Sequence, residues 1–393
     1  MSWNKVKLGD ISTSIQPGPF GSQLHSSDYS NEGTPVIMPK DMIDGHISHT
    51  NLVYVSEEHV NRLSRHQVHK GNLMVARKGD VRKCVFITDN EEGWMTGSDC
   101  LKVTLDEEKC VPKYIYYQLR SPFIGKWLET ISIGATMPSL NTGLLSGIEL
   151  FLPPLVIQEQ IANVLTEYDA LIQNNRKQIK LLEEAAQRLY KEWVVDLRFP
   201  GHEDVQIVDG VPAGWHKGTV QEIVKYHDTM RKPLSGQQRE KMKGKYRYYG
   251  AAGVLDYVNK YIFDGTYLLL GEDGTVITND GLPVLQYVTG QFWVNNHAHV
   301  LTGKGNYSTE FIYMMFSFMG ISDVVTGVAQ PKISQGRLSA KKVVIPSEGL
   351  AVLFHNNTKP IFDRVLLLEK QITLFSEARD RLLPKLMSGE IEL

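Results

Sequence analysis

The sequence predicts an α+β chain. Two mixed α/β domains are separated by two long antiparallel coiled-coil helices, related by a pseudo-two-fold axis. Three observations point there. First, Ile161, Leu165, Tyr168, Ile172, Asn175, Ile179, Leu182, Ala186, Leu189 and Trp193 are spaced four, three, four, three without a break. This 3.5-residue period belongs to a helix whose seam faces another helix along its length. Second, the seam recurs 193 residues later as Ile361, Val365, Leu368, Ile372, Phe375, Arg379, Leu382 and Leu386. Lys177-Gln178-Ile179 matches Lys370-Gln371-Ile372, and Arg188-Leu189 matches Arg381-Leu382, in the same register. Third, each seam follows a strand-like run ended by proline, at Pro153-Pro154 and at Pro346.

Four segments follow in order. Residues 1–153 read as the first mixed domain, with strands over 35–38, 73–76, 83–88, 101–105 and 148–152 between Gly, Asn and Asp turn signals. Helices are expected over 114–119 and 122–131. Pro153-Pro154 stops the last strand and admits the first long helix, 154–198, because proline is tolerated in a first turn. That helix ends before Phe199-Pro200-Gly201. Residues 199–346 form the second mixed domain and 347–393 the second long helix, with Pro384 expected to bend or end its last turns.

The domains echo each other at their edges. Met137-Pro138-Ser139-Leu140-Asn141 lies 193 residues before Gln330-Pro331-Lys332-Ile333-Ser334, and Leu152-Pro153 before Ile345-Pro346. Trp3 with Ile11 echoes Trp215 with Ile223 at a different offset, so the interiors differ by insertions. Two equal helices joined through a whole domain pair most simply antiparallel, with one domain at each end. About 33 seam residues span ~50 Å at ~1.5 Å per residue, more than one ~34 Å turn of DNA. Such a spacer is symmetric because it repeats; the modules diverge because each reads something different.

With 393 residues, 22% charged and 42% hydrophobic, a net charge of -2 and a pI near 6.6, the chain has no global attraction to nucleic acid. Any basic site must be local. The three cysteines form no CxxC pair and no disulfide framework, which suits a reducing cytosol. The first residues are polar and no apolar run approaches ~18 residues, so neither signal peptide nor transmembrane helix is expected.

Residues 217–247 carry nine Lys or Arg against three acids and run into Tyr246, Tyr248 and Tyr249. Basic loops interleaved with aromatics suit phosphate neutralisation beside base or sugar contact. Arg77-Lys78-Gly79-Asp80 with Arg82-Lys83 forms a smaller basic turn. The amides and imidazoles of Asn295-Asn296-His297-Ala298-His299 suit base edges or a buried polar turn equally. Searches for enzymatic chemistry fail: there is no Walker A loop, no strand-linked GxGxxG and no methyltransferase tetrapeptide. Neither His66 with His69 nor His297 with His299 has further ligands at metal-site spacing. No catalytic residue and no metal site is expected.

This order of segments resembles the DNA-specificity (S) subunits of type I restriction-modification systems. The resemblance spans essentially the whole chain. It is carried by Gly18-Pro19-Phe20-Gly21-Ser22, Tyr248-Tyr249-Gly250-Ala251-Ala252-Gly253, Leu270-Gly271-Glu272-Asp273-Gly274, Val294-Asn295-Asn296-His297-Ala298 and Gln330-Pro331-Lys332-Ile333-Ser334. Met137-Pro138-Ser139 departs from the family's more usual Gln-Pro. The resemblance implies two target-recognition domains, each reading half of a bipartite, asymmetric site in double-stranded DNA. It also implies two partner methyltransferase (M) subunits docked on the helices and holding S-adenosylmethionine. Motor-nuclease (R) subunits using ATP and Mg²⁺ would join them in the cytoplasm, while this chain holds no cofactor. On that reading Arg231, Lys232, Lys243, Lys245 and Arg247 contact phosphates, and Tyr248, Asn296, His297, Gln330 and Lys332 lie nearer the bases. The first-domain equivalents are Phe20, Ser22, Gln23, Lys40, Arg77, Lys78, Arg82 and Lys83. The main rival is a coiled-coil-spaced protein–protein scaffold without DNA readout. An enzyme of unrecognised chemistry and an S-like subunit of another defence or methylation system are further alternatives.

Overall fold

The computed structural model describes residues 3–132, 138–327 and 329–393, so Met137 of the first edge motif lies outside it. The chain forms two compact units, Met1–Asn174 with Gln371–Leu393, and Asn175–Lys370. Each takes one mixed domain and a stretch of both long helices.

In the first unit Ser12–Pro17, Cys100–Leu105, Leu73–Ala76 and Cys84–Phe86 lie side by side in that order, each antiparallel to its neighbour. The apolar run at 73–76 is unbroken because both faces of the sheet are covered. Leu73 and Val75 enter one cluster with the helices Pro112–Leu119 and Pro122–Ile131, while Met74 and Ala76 enter another with Ile37 and Val85. A small second sheet, Val53–Val55, Thr34–Ile37 and Met95–Thr96, flanks this core. Asn4–Lys7 pairs with Glu149–Leu152, so the start of the domain is bonded to the strand that feeds the long helix.

That helix runs Leu155–Tyr190, followed by a single wide turn at Lys191–Val195. In the first unit its Ile161, Ala162 and Leu165 pack with Leu383, Leu386 and Met387 of the C-terminal helix Glu348–Ser388. Farther along, the ring of Tyr168 meets Phe375 at 6.4 Å. The partner number falls as the first rises, so the pairing is antiparallel. In the second unit Gln178 faces Arg364 at 3.4 Å and the ring of Tyr190 meets Phe354 at 5.8 Å, in the same sense. Every seam position named above is buried or half-buried. Pro384 does not end the helix, which continues to Ser388. An interior proline costs about 3 kcal/mol, and burial of Leu383, Leu386 and Met387 around it opposes that cost.

The second unit holds a six-stranded sheet ordered Val224–Tyr226, Ala298–Gly303, Phe263–Gly271, Leu285–Val294, Lys243–Tyr249 and Val254–Val258. Its first four strands have the antiparallel order of the four-stranded sheet in the first unit. The last two are additions, and Lys243–Tyr249 joins in parallel. The helix Thr309–Phe318 and the long-helix residues Ala186, Tyr190, Phe354 and Phe362 cover one face. His216–Thr219 pairs with Lys342–Ile345 just as Asn4–Lys7 pairs with Glu149–Leu152. Among the described residues no helix is long and apolar enough to cross a membrane.

Candidate nucleic-acid interface

Each domain builds the same clasp from three chain segments. In the first, the turn after Leu73–Ala76 places Gly79 at φ 79°, and its N–H donates to Pro138 O at 3.1 Å. Leu140 N–H donates to Arg77 O at 2.8 Å, and Arg77 N–H to Asp99 O at 2.7 Å. In the second, Gly274 stands at φ 88° and donates to Pro331 O at 3.0 Å. Ile333 N–H donates to Glu272 O at 2.9 Å, and Glu272 N–H to His297 O at 2.8 Å. Both turns need the left-handed region that glycine reaches without strain. The short helices that follow, Thr142–Ser146 and Gln335–Ala340, are capped alike by the side chains of Asn141 and Ser334.

The backbone is shared and the side chains on it are opposite in charge. In the first domain the clasp presents Arg77 and Lys78. The Arg77 guanidinium lies 5.4 Å from the centroid of the Phe20 ring, itself 52% exposed, and Lys78 is 3.0 Å from Asp99. Ser22 and Gln23 sit on the short turn Gly21–Gln23 beside Phe20, with Gln23 O accepting from Arg62 at 2.8 Å. Phe20, Ser22, Gln23, Arg77 and Lys78 are thus brought to one place. Lys40, Arg82 and Lys83 bond within the domain instead. Lys40 donates to Asn51 O at 2.8 Å and Lys83 to Pro39 O at 2.9 Å, while Arg82 is 2.9 Å from Asp80 and 3.3 Å from Glu129. Hydrogen bonding from Arg82 holds the Asp80 carboxyl below its usual range.

In the second domain the clasp presents Glu272 and Asp273. Asp273 Oδ1 accepts from Gln330 Nε2 at 2.9 Å, and its Oδ2 is 3.7 Å from His297 Nδ1. Gln330 and Asn296 are exposed, His297 is 45% exposed, and Lys332 is 3.9 Å from Glu272. Asn295 is buried and its side chain accepts from His297 N–H, which shapes the turn between them. Lys232, Lys245 and Arg247 are exposed on the basic arm, with Lys245 over the Tyr246 ring at 5.2 Å. Arg247 reaches Tyr249 Oη at 3.3 Å. Lys243 is held by Asp256 at 2.9 Å and Glu240 at 3.4 Å. That hydrogen bond, with help from Arg239, holds the Asp256 carboxyl down at about 2.

Two of the expected residues point inward in this structure. The Arg231 side chain is only 13% exposed and bonds Glu272 at 2.6 Å and Ala298 O at 2.7 Å. Tyr248 is 1% exposed and its hydroxyl accepts from Leu234 N–H at 2.9 Å.

A sequence model described as "Type I restriction modification DNA specificity domain" matches residues 1–184 and 212–349. The chain belongs to this family. It is 25% identical, over its whole length and 94% of the relative's, to the type I restriction enzyme MjaIX specificity subunit of Methanocaldococcus jannaschii. It is 23% identical over 60% of its length, and 57% of the relative's, to the EcoprrI specificity subunit of Escherichia coli. In fold it resembles the crystal structure of the type I restriction-modification S subunit from M. genitalium, with a TM-score of 0.59 and 18% identity. That match covers 98% of this chain and 96% of the other.

For a specificity-family chain the remaining polar chemistry is structural. Asp228, Glu272 and His299 bring ligand atoms within 4.8 Å of one another, a set that spacing along the chain does not reveal. The Arg231 guanidinium bonds to this set, 2.6 Å from Glu272 and 3.5 Å from Asp228. His299 is buried, its Nδ1 2.6 Å from Asp228 Oδ2 and its Nε2 2.9 Å from Ile333 O. Burial pushes the Asp228 carboxyl up, but the bond from His299 and the nearby positive charges outweigh it and the net shift is down. Cys84, Cys100 and Cys110 are buried thiols, and burial pushes each up, Cys84 and Cys110 to about 12. They are poor nucleophiles at neutral pH. Sequence reasoning missed Asp273, Asp99 and Asp228. The available signal was the pair Gly79 and Gly274, each three residues past a buried strand and 195 residues apart.

Proposed function

We propose that this chain is the sequence-specificity subunit of a type I restriction-modification complex. Residues 1–153 and 199–346 each read one half of a bipartite, asymmetric site in double-stranded DNA. Phe20, Arg77 and Lys78 are the base-side group of the first domain, with Ser22 and Gln23 beside them. Asn296, His297, Gln330 and Lys332 are that of the second, and Lys232, Lys245 and Arg247 neutralise phosphates. The helices at 154–198 and 347–393 set the separation of the half-sites and dock two methyltransferase subunits. Those partners hold S-adenosylmethionine, and ATP and Mg²⁺ belong to motor-nuclease subunits that join in the cytoplasm.

The observation that carries this reading is the clasp: one backbone construction, built twice, with a cationic and aromatic group on one copy and an acidic and amide group on the other. A protein that read the same thing twice would have no reason to invert the charge. The test is base-resolution mapping of methylated adenine in a methylation-free host that co-expresses this chain with the methyltransferase encoded beside it. One bipartite motif is expected, lost when this chain is omitted and changed in only one half when residues 1–153 are exchanged. A soluble complex with an active methyltransferase but no motif would overturn the reading.

A further inference from the structure

We propose that Asp273 is a specificity-determining positioning residue: it fixes the amide of Gln330 so that one base position of the second half-site is read as adenine. This rests on reading residues 199–346 as a DNA-recognition domain. Asp273 Oδ1 accepts from Gln330 Nε2 at 2.9 Å. A carboxylate offers no donor, so only one orientation of the Gln330 amide satisfies this contact, with its NH₂ turned to Asp273. Among the described residues one N–H and the Oε1 acceptor meet no other partner, on an exposed side chain. That donor–acceptor pair is the one with which glutamine meets N7 and the N6 amino group of adenine.

The carboxylate itself is held still. It is 21% exposed, against 45% for neighbouring His297, so it lies deeper than the group it faces. Its backbone is fixed on both sides by Gly274 N–H to Pro331 O at 3.0 Å and Ile333 N–H to Glu272 O at 2.9 Å, and it bridges to Lys332. The carboxylate that orients Gln330 therefore belongs to a residue whose backbone is bridged to Lys332, two residues past Gln330. In the first domain the corresponding residue is Lys78, which faces Asp99 at 3.0 Å and, among the described residues, orients no amide. The device is specific to the second domain.

Asp273→Asn is the decisive variant. It keeps the shape but supplies both a donor and an acceptor, so Gln330 can turn either way. The full chain, in complex with its methyltransferase, would be profiled on a duplex library randomised at the half-sites, with thermal unfolding measured in parallel. Expected are a loss of about tenfold in adenine preference at one position of the second half-site, an unchanged first half and an unchanged unfolding midpoint. Gln330→Ala should lose preference at the same position. If Asp273→Asn keeps the wild-type preference everywhere while Gln330→Ala does not, Gln330 reads unaided and the proposal fails. If neither variant changes any position while the wild type shows a bipartite motif, the proposal fails but the recognition reading stands. If the wild type itself selects no motif, both fall.

Discussion

Arg379 Nη1 lies 2.6 Å from Asp169 Oδ1, an ion pair between the two long helices with both side chains largely buried. Asp169 also accepts from the Tyr117 hydroxyl at 2.8 Å, which ties the pair to the helix Pro112–Leu119. Arg379 is the one charged residue in the second seam, at a position where apolar residues otherwise repeat. Removing Arg379 strands the charge of Asp169, whereas Arg379 keeps a second partner in Asp380 at 2.8 Å. Arg379→Leu should cost about 3–5 kcal/mol of unfolding free energy, and Asp169→Leu with Arg379→Leu should recover most of it. Urea titration of the singles and the double closes this cycle; additive losses would mean the pair does not act as a unit.

Glu183 and Glu369 lie on the two long helices in the second unit, near enough for the charge of one to act on the other. Burial first, and then the charge of Glu369, push the Glu183 carboxyl up. Burial also raises Glu369, against the pull of Arg247. A carboxyl raised on folding binds its proton more tightly in the native state. The penalty is therefore fully present at neutral pH and fades as pH falls through the raised value toward the ordinary one near 4.5. Glu183→Gln should raise the unfolding midpoint at pH 7, by on the order of 2 °C, and the gain should vanish at pH 4. A constant gain at both pH values would assign it to packing instead.

Periodicity made the helices and the best strands legible, because both are local consequences of burial. The 3.5-residue seam is buried or half-buried at every named position, and the helix at 122–131 and strand at 73–76 fall on their expected residues. Charge was less legible. A count of Lys and Arg along 217–247 does not say which of them meets an acid from elsewhere. Arg231 is neutralised by Glu272, forty-one residues on, and Lys243 by Asp256. Nor does the count of aromatics say which are covered: Tyr248 is 1% exposed in its strand. Gly79 and Gly274 were readable as turns, but that they build one clasp appears only when Pro138 and Pro331 are seen to accept from them.

Gly274→Ala isolates the backbone strain of that clasp. A Cβ added at Gly274 meets nothing within 4 Å, and the same holds at Gly79. The cost is then conformational alone, about 1–2 kcal/mol for an L-residue at positive φ. Calorimetry should show that loss. Methylation mapping should show weakened selectivity in the second half-site for Gly274→Ala and in the first for Gly79→Ala. Weakening of the opposite half in either case would contradict the assignment of clasp to domain.

Salt dependence separates free cations from committed ones on the basic arm. Each phosphate neutralised contributes close to one unit to the slope of log binding constant against log salt. Lys245, exposed over Tyr246, should lower that slope by about one when changed to Ala. Lys243→Ala should change it far less, because Asp256 and Glu240 already balance that ammonium. Arg231→Ala should behave differently again, leaving the half-buried Asp228 and Glu272 without the guanidinium that bridges them and lowering the unfolding midpoint. Fluorescence anisotropy of the methyltransferase complex on a labelled duplex, from low to moderate salt, reads all three. An equal fall in slope for Lys243 and Lys245 would mean that DNA strips Lys243 from Asp256. The free-cation distinction drawn from the structure would then not survive binding.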